Sequence, residues 1–419
     1  MAGPRLPTLA WRNIWRNRRR TLITLVSIAF GTLLAVIATG IGDSSYSTMI
    51  DHAARLGGGH VIVQNGEYAQ QPSLKRTVRA DPAAMDAIRA EPEVRAVVGR
   101  VSGGVMLATS TNNVGAGVIA IDPAAEDATT LGLVDSITRG AMFGSASDEG
   151  IILGKKLAEN LDLELGRKVV YTVTDKRGEI ATGLARVTGI LETGALEIDA
   201  GTCLMPIDSF RATLGYAPDE VTQVAIFLAD HRDSELVAKR VASEQGAAFG
   251  DEVAVLPWYE ANRDLAGFVT MKTTGALFME LLVTLLITAG IFNTLFVSVM
   301  ERMRELGVLA AIGFSSRQLF ALVVWESVWL GLCGIVAGVL LCAWPYHYLS
   351  TVGLDTAAMT GGGGTQVSGI TMSQVLYVEL YPPHAVFIAF AVVFATVAAG
   401  LYPAYRAGKV SPVEAIRVI

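Results

Sequence analysis

Four apolar runs, at residues 21–42, 274–300, 319–344 and 384–405, limit what this chain can fold into more than any other feature. A helix needs about 20 mostly apolar residues to cross a bilayer core, and each run meets that length. With 52% hydrophobic and only 17% charged residues, the whole chain is too apolar for an ordinary soluble protein. The stretch before the first run is basic, as a signal peptide's would be. The run is too long for one, however, and no A-x-A site follows, so the sequence reads as a retained helix.

Orientation follows from Lys and Arg in the short connections. Arg5, Arg12, Arg16, Arg18, Arg19 and Arg20 precede the first run. Arg302, Arg304 and Arg317 follow the second, and Arg406, Lys409 and Arg417 follow the fourth. The 345–383 loop has neither residue type. Both termini and the 301–318 link are therefore expected in the cytoplasm, with 43–273 and 345–383 outside. Within 1–20, Trp11, Ile14 and Trp15 share one helical face while Arg12 and Arg16 take another, the pattern of an elbow helix lying in the membrane interface. A net charge of −6 excludes a nucleic-acid binder.

The 43–273 region has no membrane-length run and mixes strand and helix signals. Strands are expected at 60–64, 169–174, 185–191 and 223–228, and helices at 82–90 and 234–245. Gly-rich turns are expected at 57–59 and 103–104. Helical spacing at 44–56 and 258–271 extends the first two spans into a stalk. The fold class is an α+β membrane protein, with four transmembrane helices and a large α+β extracytoplasmic domain between helices 1 and 2. Cys203, Cys333 and Cys342 suggest neither a disulfide framework nor a metal site. No catalytic motif stands out, so no catalytic residue is assigned.

The densest information lies at 290–320. An apolar helix ends in Glu301, Arg302, Arg304 and Glu305. A short apolar run with Leu306, Gly307, Ala311 and Gly313 follows, and Ser315 and Ser316 offer a cap for the next helix. This layout is a charged collar and a small amphipathic segment able to face a cytoplasmic partner. Inside the spans, Asn293 and Glu326 are polar groups suited to helix–helix contacts, and Gly331, Gly334 and Gly338 permit close helix approach.

The string E-R-x-R-E-L-G-V-L-x-A-I-G at 301–313 resembles the coupling region of FtsX-like ABC permeases. That group includes the lipoprotein-releasing LolC/LolE permeases and the MacB exporters. Pro403, Ala404, Ala407, Pro412, Ala415, Ile416 and Arg417 match the family's C-terminal signature, locally read as a helix that leaves the membrane at Pro403. Glu326 with Gly331, Gly334 and Gly338 matches its third-span pattern, and 152–166 matches a segment of its outer domain.

The resemblance implies a permease subunit that couples ATP hydrolysis elsewhere to work outside the membrane. It casts Glu301 to Gly313 as the ATPase grip and Glu326 as an architectural group paired with a basic residue of the elbow. No G-x-x-x-x-G-K-[ST] occurs. No cofactor is therefore expected on this chain, and a separate dimeric ABC ATPase would bind ATP and Mg. The other expected partners are a second permease, inner-membrane lipids, and a periplasmic adaptor or lipoprotein carrier. The loop ending at 374–383 resembles the Lol loop and favours lipoprotein release from the bacterial inner membrane. Phe30, Met279 and Phe292 would line an acyl-chain cleft between the first two spans. MacB-like export of a peptide, toxin or drug, and FtsX-like signalling to a cell-wall hydrolase, are the alternatives.

Overall fold

A computed structural model describes residues 6–16, 18–250, 252–355, 366–367, 370–371 and 375–409. The expectations for Pro412, Ala415, Ile416 and Arg417 lie outside them. The chain divides into two compact units. The described parts of the first are residues 6–16, 18–45, 270–355 and 375–409, and those of the second are 46–250, 252–269, 366–367 and 370–371.

Six helices carry the first unit: α1 (Leu6–Arg16), α2 (Arg18–Leu56), α3 (Arg263–Glu301), α4 (Met303–Ala311), α5 (Ser316–Thr351) and α6 (Pro382–Gly408). Of these, α2, α3, α5 and α6 are long and apolar enough to cross a membrane. Local chemistry sets their ends. Ser315 caps α5 in a capping box with Gln318, as its sequence position foretold. Gly313, at φ 106°, makes the left-handed turn out of α4 that a side chain would strain. Pro382 sits in the first turn of α6, where its missing N–H costs nothing.

Pro403 lies inside α6, which continues through it to Gly408. An interior proline costs a helix about 3 kcal/mol. Here Ala404 and Ala407, both fully buried, share one core with Leu319, Leu322 and Val323 of α5. That packing just beyond the ring helps hold the helix together.

The second unit is built on ten strands: β1 (Val61–Asn65), β2 (Val94–Ala108), β3 (Asn113–Ile121), β4 (Ile137–Gly140), β5 (Gly150–Gly154), β6 (Lys168–Thr174), β7 (Ile180–Leu191), β8 (Thr202–Pro206), β9 (Gln223–Leu228) and β10 (Val253–Pro257). They pair in the order β10-β1-β9-β2-β3-β8-β5-β7-β4, and β6 joins β2 to β7. The pairings β2-β3-β8-β5-β7-β6-β2 therefore close on themselves as a six-stranded barrel. The strands β10, β1 and β9 extend from the other half of β2 as an open sheet. Alternation fills the barrel, with Val105, Leu107, Tyr171, Val187 and Met205 all in one buried core. Cys203 lies in the same core, where burial pushes its thiol up to about 12 and leaves it inert.

The expected turn at Gly103-Gly104 is overturned: both glycines sit inside β2, opposite Val118 and Gly117 of β3. A Cβ on Gly103 would stand 2.6 Å from Leu74, so the glycine admits a side chain packed over the strand.

One buried guanidinium ties the end of α2 into this sheet. Arg100 of β2 is fully buried and makes a two-pronged pair with Glu126, Nε to Oε1 at 2.6 Å and Nη2 to Oε2 at 2.9 Å. It also donates to the carbonyls of Thr130, at 2.8 Å, and of Gly57, the residue after α2. A cation at a helix C-terminus meets the negative end of the helix dipole. Just after α2, His60 accepts the Leu228 N–H on Nδ1 (3.0 Å). Its Nε2 must then carry the proton it gives to Asp51 (2.9 Å).

Candidate functional site

The residues after α3 and those of α1 meet in a network of charges. Arg302, the N-cap residue of α4, places Nη1 2.9 Å from Oε2 of Glu326 on α5. The other carboxylate oxygen of Glu326 accepts from the Asn13 amide of α1 at 2.9 Å. Arg16 pairs with Glu305, and Arg20 with Glu301. Arg302 Nε also reaches Glu305 at 3.3 Å. Burial alone would raise the Glu305 carboxyl, but the guanidiniums of Arg16 and Arg302 outweigh it and hold it below the usual carboxylate range. These groups line a cavity of about 320 Å³ whose apolar wall includes Ile14, Leu295 and Leu330.

The elbow helix is fixed to α5 by packing as well. Ala10 and Ile14 are buried. Trp11 meets Trp329 edge to face at 5.2 Å, and the Trp329 indole N–H donates to the Pro7 carbonyl at 3.1 Å. Glu326 thus takes its guanidinium from Arg302, not from the elbow, which supplies the Asn13 amide instead. Arg16 of the elbow reaches Glu305, and Arg20, at the start of α2, reaches Glu301.

The grip residues divide into an inner and an outer face. Leu306 and Gly307 are buried, whereas Glu301, Arg304, Glu305, Ala311 and Gly313 are exposed and Arg302 is half-buried. The small α4 is therefore seated by one face and presents the other. The glycines of α5 lie against two helices. A Cβ on Gly334 would collide with Ile28 of α2, and one on Gly338 would come within 2.7 Å of Thr32. Gly331 faces Val393 and Thr396 of α6, at 3.4 and 3.5 Å.

The polar and aromatic residues singled out on the spans are more dispersed. Asn293 is exposed on α3. Phe292 stacks with Phe296 at 5.9 Å and tilts against Tyr402 of α6 at 6.0 Å, while Phe30 and Met279 are exposed.

Sequence reasoning missed Asn13, Arg16 and Arg20 as partners, because a basic N-terminal segment already has a sufficient explanation in orientation. It also missed a pairing at the far edges of the first and fourth apolar runs. There the buried Asp43 carboxylate faces Nδ1 of His384 at 2.8 Å and accepts the Tyr381 N–H at 3.1 Å. Both residues fall at the edges of their apolar runs, where a run-based reading stops.

The chain matches the profile of the MacB-like periplasmic core domain over residues 21–244 and that of the FtsX-like permease C-terminal domain over 277–412. An ABC transporter permease of Methanocaldococcus jannaschii is 24% identical over 80% of this chain and 82% of its own length. The lipoprotein-releasing system transmembrane protein LolC of Xylella fastidiosa is 24% identical, covering 68% and 67%. The macrolide export ATP-binding/permease protein MacB of Nitrobacter winogradskyi is 25% identical over 96% of this chain, which spans 58% of that longer protein. With the core-domain profile covering more than half its length and the permease profile most of the remainder, the chain belongs to the ABC transporter permeases of the MacB, FtsX and LolC type.

Proposed function

We propose that this permease carries the force of a separate ATPase to a domain outside the bacterial inner membrane, and that its work there is lipoprotein release. The observation that carries the reading is the ionic seat of α4. Arg302, Glu305 and Glu326 tie it to α1 and α5, while Arg304, Ala311 and Gly313 remain exposed. A segment clamped on one face and open on the other suits a lever gripped by a cytoplasmic partner. In this reading α2, α3, α5 and α6 cross the membrane with both termini inside, and 43–273 is the outer domain. At about 1.5 Å per residue, each 39-residue helix, α2 and α3, is roughly 58 Å long. That is about twice the hydrocarbon thickness, enough to cross it and continue as a stalk.

The grip is the 301–318 segment, with Glu301 to Gly313 at its centre. Asn293 is the contact to a second permease, and Phe30, Met279 and Phe292 border the path of acyl chains. ATP and Mg would be bound by the ATPase partner. Similarity to LolC supports lipoprotein release, and similarity to MacB over nearly the whole chain supports the second reading, adaptor-linked export.

The test is purification of the tagged chain from its native membrane, with mass spectrometry of what accompanies it. An ABC ATPase with lipidated proteins or a lipoprotein carrier is the expected outcome. An adaptor and outer-membrane channel would select export, and a peptidoglycan hydrolase would select signalling. Full ATP-dependent activity after residues 301–313 are scrambled would refute the grip.

A further inference from the structure

The second unit contains a crevice that the coupling network does not use. Its volume is about 220 Å³, and it lies where α2 runs into β1 and where β10 gives way, through the short helix Trp258–Ala261, to α3. Its walls are small and apolar: Ala53 near the end of α2, Gly58 in the turn, Ala69 after β1, and Ala261. Trp258 closes one side. Gln64 of β1 and Gln223 of β9, direct cross-strand neighbours, both reach it.

The two amides differ. Gln223 donates to Ser102 Oγ at 3.1 Å. Gln64 is only 3% exposed, yet its amide makes no hydrogen bond within the described residues, and no polar side-chain atom of the unit is sealed away without a partner. The Gln64 amide therefore opens into the crevice. That amide presents an N–H donor and a C=O acceptor side by side to whatever enters the crevice.

We infer that this crevice is a binding site for an uncharged peptide segment, with one peptide group paired to Gln64 and a small or medium apolar side chain seated among Ala53, Ala69 and Ala261. Three observations select that chemistry. Among the described residues no charged side chain lines the crevice, so a charged ligand would go unanswered. An acyl chain would leave the Gln64 amide unmet in a dry site. A sugar would bring a ring of hydroxyls to a wall made mostly of alanine, glycine, isoleucine and proline. A peptide group supplies a matched acceptor and donor in one plane. Because the last turns of α2 and the approach to α3 both line the crevice, a peptide held there bears on the roots of both long helices.

The proposal deepens the substrate-handling reading and rests on it only for which polypeptide is bound. The full-length chain in detergent, without ATPase or nucleotide, is titrated with N-acetyl-Ala-Leu-Ala-amide while tryptophan fluorescence is followed. The expected result is a saturable change that disappears in Trp258→Phe and weakens at least tenfold in Gln64→Leu, with folding checked by thermal unfolding. Should Gln64→Leu not fold, Ala261→Phe, which fills the crevice from its rim, is expected to abolish the response. No saturable response, an undiminished one in the folded variant, or tighter binding of methyl glucoside or hexanol would overturn the site. Such a failure leaves the coupling reading to its own co-purification test.

Discussion

Glu326 shows how one residue can be found in a sequence without its role being found. An acid inside an apolar run stands out, because placing a charge there is costly without a partner. The partner does not stand out: Arg302 is 24 positions away and Asn13 is 313 away. Their meeting depends on how α1, α4 and α5 pack, which no local pattern encodes. The chemistry does imply a consequence. Replacing Glu326 with leucine leaves the half-buried Arg302 guanidinium without its carboxylate, and charged hydrogen bonds of this kind are worth about 1.5–3 kcal/mol each. Glu326→Leu should lower the thermal midpoint of the detergent-solubilised protein, and Arg302→Met in the same chain should restore much of the loss, since removing both partners strands no charge. A double variant no more stable than the single one would mean that Arg302 is not the group Glu326 holds.

Among the elements, the long helices and the capped start of α5 were legible, because length, apolar content and the Ser315 cap are local signals. In the sheet, 223–228 was read correctly and the expected strands at 60–64 and 169–174 lie within a residue of β1 and β6. Strand β2 was broken in the reading at Gly103-Gly104, because glycine pairs signal turns unless another side chain needs the space they leave. On α5 the glycines lie three and four apart and so align along one side of the helix, where they meet α2 and α6. Their contacts set the next expectation. Gly334→Ala puts a methyl group into Ile28 of α2, and overpacking of this kind typically costs about 1–3 kcal/mol. The same change at Gly331, whose nearest neighbours lie at ordinary contact distance, should cost less. Thermal unfolding of the two variants side by side checks the order.

At the scale of the molecule, family membership was readable because one charged and glycine-bearing string, 301–313, is so specific. The barrel was not readable, because closure depends on which strands pair and not on what each strand contains. Folding also places His231 next to Asp51 and within 3.5 Å of Ser47 on α2. Burial lowers its pKa. Asp51 and Asp230 pull it back up, His60 and Arg232 push it further down, and burial prevails. The ring is therefore neutral when folded and takes up a proton more readily when unfolded. The stability it contributes is present above its unfolded value of about 6.5 and is lost as pH falls through that value towards its lower folded one. Thermal midpoints should drop across that window, and His231→Gln should flatten the slope. An equal slope in the variant would assign the effect to another group.

Strand β2 belongs to two structures at once. Its first seven residues, Val94 to Arg100, run beside β9 in the open sheet, and the next eight, Val101 to Ala108, run beside β3 in the barrel wall. No loop divides the two stretches, so the chain offers no place to cut one away from the other. A twist applied at the end of α2, held by Arg100 at the last position of the open-sheet stretch, arrives in the barrel along a single unbroken backbone, as torque passes along an axle.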